Sequence, residues 1–149
     1  MTKAQAFLEW LYGADGGDSA QRPHLVVAWA KGLTDDDGAL FWEVVTRAWS
    51  GFDAIPHEDF ADLFKRFVDT SPSNELPANL TVYRGQDADA PKGLSWTLDR
   101  KVAATFARGH RNIRNPSPTI IEMEIEPEHI AFVCKDRDEA EVVLLHLPD

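Results

Sequence analysis

The stretch TSPSNELPANLTVYRG, Thr70 to Gly85, is where the chain changes its pattern. Its opening part, Thr70 to Asn79, is rich in Pro, Ser and Asn, residues that favour turns over regular structure, and reads as a connector. The part that follows, Leu80 to Gly85, reads as a short strand because it concentrates β-branched and aromatic residues. Before the connector, apolar residues recur every three or four positions; after it, short runs alternate or are wholly apolar. A helical front and a strand-rich back predict a single α+β domain over residues 1–149. Residues 1–70 would form a helical subregion packed on a mixed or antiparallel sheet, and residues 80–149 the strand-rich core.

Four helices are expected in the front half. TKAQAFLEWLYG opens with a capping box between Thr2 and Gln5 and closes on Gly13. RPHLVVAWAKG carries Pro23 in its first turn and stops at Gly32. TDDDGALFWEVVTRAWSG starts on Thr34 and three aspartates, which suit the positive end of a helix. PHEDFADLFKRFVD sets Phe60, Leu63, Phe64, Phe67 and Val68 on one stripe. In the back half, LTVYRG, GLSWTL, PTIIEMEIE, HIAFVC and AEVVLLHL read as strands, and DRKVAATFARG as a helix with Asp99 at its start.

The formal net charge of −10 argues against binding to nucleic acid or to an anionic membrane surface, both of which call for Lys and Arg. The single cysteine, Cys134, leaves no internal disulfide. No stretch reads as a signal peptide or a membrane span, so a cytoplasmic location is expected. The negative charge is uneven: residues 1–79 carry a net −7 and residues 80–149 a net −3. Arg100 to Arg114 holds five basic residues and no acidic one, a cationic run suited either to an anion or to a solvated helix face. The histidines show no ligand spacing, and with one cysteine no metal site is expected.

Polar residues interrupt three of the strands. Arg84 stands inside an apolar strand, where a guanidinium needs an anion. Gly85 follows it and would let a ligand come close to the backbone. Ser95 and Thr97, two apart, share a strand face, as do Glu139 and Glu141. Two carboxylates roughly 6 to 7 Å apart repel, so the pair is either solvated decoration or a chemical requirement.

The order Arg, Ser-x-Thr, Glu-x-Glu resembles the arginine-serine-glutamate class of mono-ADP-ribosyltransferases. TVYRG is similar to the first catalytic strand of that family, GLSWTLDRKVAATFA to its Ser-Thr-Ser strand and following helix, and EAEVVL to its Glu-x-Glu strand. Trp96 and Thr97 depart from the family's more frequent Thr and Ser. The resemblance covers residues 80–147 and implies a split sheet of ADP-ribosyltransferase type. It also implies NAD⁺ as substrate and an unidentified protein as target. By the same resemblance Glu141 would stabilise the ribose as nicotinamide leaves, Glu139 would position or deprotonate the acceptor, Ser95 would orient Glu141, and Arg84 would meet the phosphates. Gly85, Ser95 and Thr97 would line the NAD⁺ site, and Arg108, Arg111 and Arg114 would approach the pyrophosphate. Cys134 to Glu139 would recognise the target. The small size suits a toxin-like bacterial or phage effector. Two alternatives stand beside this reading: a catalytically inactive relative that acts by contact through its acidic surface, and an NAD⁺ glycohydrolase.

Overall fold

The computed structural model describes residues 1–72, 76–110, 113–114, 116–134 and 141–148. The chain forms two compact units, Met1–Pro72 and Ser73–Asp149, divided within the predicted connector. Among the described residues no helix is long and apolar enough to cross a membrane.

The first unit is helical. Helix α1 (Lys3–Leu11) begins on the predicted box: the Gln5 amide donates to Thr2 Oγ1, and the Thr2 amide to Gln5 Oε1. Helix α2 (Arg22–Lys31) holds Pro23 in its first turn and ends at Gly32. The three aspartates behave differently from the expectation that they open a helix directly. Asp35–Asp37 form a separate 3-10 turn, and helix α3 (Gly38–Ala48) follows it. The Asp37 carboxylate turns back to accept from the Thr34 amide and hydroxyl, which holds its pKa below the ordinary carboxylate value. Short acids serve local turns as readily as helix starts, which is why the sequence pattern does not separate the two.

Helix α4 (His57–Arg66) is one turn shorter than its apolar stripe suggests, because Phe67 caps it and Val68–Thr70 tighten into a 3-10 turn. Phe67 is buried, while Val68 lies exposed at 39%. Trp42 Nε1 donates to the Phe67 carbonyl at 2.8 Å, satisfying an acceptor at the end of α4 and fixing α3 against it. Arg66 ties the other side: Nε meets Asp35 at 3.0 Å and Nη2 the Leu33 carbonyl at 2.6 Å.

The core of this unit is aromatic. Phe64 is fully buried, with ring centroids of Trp42 at 5.1 Å, Trp49 at 5.8 Å, Phe60 at 6.0 Å and Phe41 at 6.2 Å. Trp29 is set apart from it, stacked on Phe7 at 4.3 Å and half-buried.

Among the described residues the second unit is a sheet with one α-helix. Strands β1 (Leu80–Asp87), β2 (Ser95–Thr97), β5 (Pro118–Ile125), β6 (Ile130–Cys134) and β7 (Glu141–Leu144) form one sheet in the order β5-β1-β2-β7-β6. Every pairing is antiparallel. These are the five strands read from the sequence, so the class is α+β. Helix α5 (Arg100–Arg108) runs between β2 and a short hairpin, β3 (Gly109–His110) and β4 (Ile113–Arg114), which the sequence pattern did not reveal.

Replacing Phe64 by Ala should destabilise the protein by about 3–5 kcal/mol, because it opens a cavity among four rings. Val68→Ala, on the same sequence stripe but exposed, should stay within about 0.5 kcal/mol. Denaturant unfolding of the two variants checks both.

Candidate functional site

The three strands that carry the polar residues lie side by side. β2 is flanked by β1 and β7, so segments far apart in the chain become lateral neighbours. Tyr83 pairs with Thr97, Thr97 with Glu141, and Glu141 with Cys134, which makes one cross-strand row. Residues opposite each other share a face, so Thr97 stands directly beside Glu141, with Cβ atoms about 5 Å apart by ordinary sheet geometry. Ser95 pairs with Val143 and is diagonal to Glu141. Thr97 stands in direct register with Glu141, and Ser95 shares its face from the diagonal position. The Thr97 hydroxyl also accepts from the Asp99 amide at 3.1 Å, and the Asp99 carboxylate accepts from the Lys101 amide at 2.8 Å, which together turn the chain from β2 into α5.

Arg84 adjoins Tyr83 on β1 and so leaves the strand on the face opposite the row. Its Nε donates to Gln86 Oε1 and its Nη1 to the Ser95 carbonyl, both at 2.6 Å. The contact is with the main chain of Ser95 rather than its hydroxyl. A single residue pair joins β1 to β2 among the described residues, and the Arg84 side chain bridges the strands beyond it. Burial pushes the guanidinium below the ordinary arginine range, and the Glu141 carboxylate partly offsets this, so the two charges feel each other. Nη2 has no hydrogen-bond partner among the described residues. Three of the five N–H bonds of the fork, two on Nη2 and one on Nη1, thus remain for an acceptor.

Gln86 was missed by the sequence reading. It is buried, accepts from Arg84, and is itself anchored by donating to the Ala90 carbonyl at 2.7 Å. Its spacing gave a signal, since a residue two after an arginine in a strand points the same way.

Gly85 has a different task from the one expected. A Cβ built there would lie 1.7 Å from the Ala103 carbonyl oxygen and 2.5 Å from the Ala107 nitrogen. The space beside Gly85 is filled by α5, so the close approach it permits is that of helix to strand, not of ligand to backbone.

Glu139 and Arg111 lie outside the described residues, as does the predicted target-recognition segment apart from Cys134 at its start. The structure describes Arg114 by its place in β4. Among the described residues no group of three or more His, Cys, Asp or Glu is placed to hold a metal ion. Compared with protein-family models, curated proteins and solved structures, the chain matches none.

Gly85→Ala should cost at least about 3 kcal/mol, because a helix backbone cannot yield as a side chain does. Thermal and denaturant unfolding will show it. A variant of unchanged stability would mean that the space beside Gly85 is open.

Proposed function

We propose that this protein transfers ADP-ribose from NAD⁺ to a protein target with release of nicotinamide. The observation that carries the reading is the adjacency of β1, β2 and β7, the strands of Arg84, of Ser95 and Thr97, and of Glu141, with Glu141 opposite Thr97. In such a reaction the bond from the ribose anomeric carbon to the nicotinamide nitrogen breaks, and its electron pair stays with nicotinamide. A target nucleophile bonds to the same carbon and gives up its proton to a base, the role open to the Glu139 carboxylate. The Glu141 carboxylate suits the positive charge that develops on the sugar, a preorganised contact of the kind that supplies about 10² to 10³ in rate. The open Nη2 of Arg84 suits a phosphate oxygen, whose charge would also compensate a half-buried guanidinium. Glu139 would serve the acceptor.

A second reading draws on a specific observation. Arg84 leaves β1 on the face away from Thr97 and Glu141, and two of its nitrogens are already satisfied by the protein. In that arrangement Arg84 is a strut of the sheet, and the protein is a binding or inhibitory one that acts by contact through its acidic surface.

One set of measurements separates these. If the transferase reading holds, millimolar NAD⁺ raises Tm by preferential binding to the native state, and labelled NAD⁺ with cell lysate yields modified protein and nicotinamide. Glu141→Gln then lowers turnover about 10²-fold or more while leaving the NAD⁺-induced shift in place. Nicotinamide release without transfer identifies a glycohydrolase. A folded protein that shows no shift and no release is the contact protein.

A further inference from the structure

The cationic run from Arg100 is only partly used by the reading above. Arg100 and Arg108 stand at the two ends of α5, about 12 Å apart along its axis. Between them the helix and the first residues of β5 enclose an open depression of about 400 Å³, floored by Ala104, Ala107, Pro118 and Ile120. The side chains of Ala104, Ala107, Pro118 and Ile120 give this floor an apolar part, and Thr119 also lines it. Arg108 has no ion-pair partner among the described residues. The Nε of Arg100 reaches Glu122 at 3.4 Å, but both side chains are more than half exposed, and such a pair is readily exchanged for another anion.

We propose that this depression is a binding site for a small organic phosphate monoester, separate from the row that contains Glu141. Guanidinium forks match phosphate oxygens in pairs, and two of them converging from the ends of a trough neutralise a dianion. The apolar floor between them suits the organic part of the molecule and gives bare phosphate nothing. The volume is at the small end of the range for ligand sites. β5 and β7 are separated by β1 and β2, roughly 14 Å of sheet, which places the depression apart from Glu141.

The probes are phenyl phosphate and inorganic phosphate, followed through backbone amide shifts of the whole protein. Phenyl phosphate should give saturable shifts at Ala104, Ala107 and Ile120 and bind about five-fold or more tighter than inorganic phosphate, as burial of part of a ring would give. Arg108→Ala should weaken binding at least about five-fold, and the Arg100→Ala/Arg108→Ala pair should abolish it, with Tm unchanged because both side chains are exposed. NAD⁺ should not displace the probe. Absence of saturable shifts, equal affinity for the two probes, or undiminished binding by the double variant would overturn the proposal. Displacement by NAD⁺ would also overturn it, by assigning the depression to the dinucleotide.

Discussion

Helix α5 and strand β1 meet backbone to backbone at Gly85, and the second unit is arranged around that contact. No residue with a side chain fits there, since its first carbon would fall inside the Ala103 carbonyl. The same closeness demands Ala103 and Ala107 on the inward side of the helix, where both are buried. With the helix pressed on one face of β1, the alternation of the strand sends Arg84 to the other. The helix start is fixed as well, through Thr97 and Asp99, so one short segment couples the middle strand of the sheet to its covering element.

A guanidinium removed from water must be compensated, and here the compensation is distributed. Gln86 and the Ser95 carbonyl take two of the donor groups as neutral acceptors, and Glu141 supplies the opposing charge. Neutral acceptors orient the fork without cancelling its charge, which the Glu141 carboxylate only partly offsets. The same bonds stitch β1 to β2 where a single residue pair joins them.

Much of the architecture was legible because it rests on local signals. The five main strands and the helices α1 to α5 follow from alternation, apolar spacing, and caps such as Thr2 with Gln5. What escaped depends on distant partners. The pairing of Gly109 and His110 with Arg114 and Ile113 has only two residues on each side, too few for any periodicity to announce it. The end of α4 is set by Trp42, twenty-five residues away, rather than by the stripe. In the site, the motifs were visible but their register was not. A strand shows which residues share a face with one another, but not which face of the next strand they meet, and this concealed the pairing of Thr97 with Glu141 and the opposite exit of Arg84. Gly85 was visible as a close approach, yet a single glycine does not say what approaches.

Strand β5 closes one side of the sheet, and Glu122 and Glu124 stand exposed at alternate positions along it. A border strand whose main-chain groups could pair with another copy is a route to stacking between molecules. Carboxylates at every second place make two such borders repel when they come together, in a molecule whose formal charge is already −10. The alternation that marks this segment as a strand thus also sets like charges where two such borders would meet.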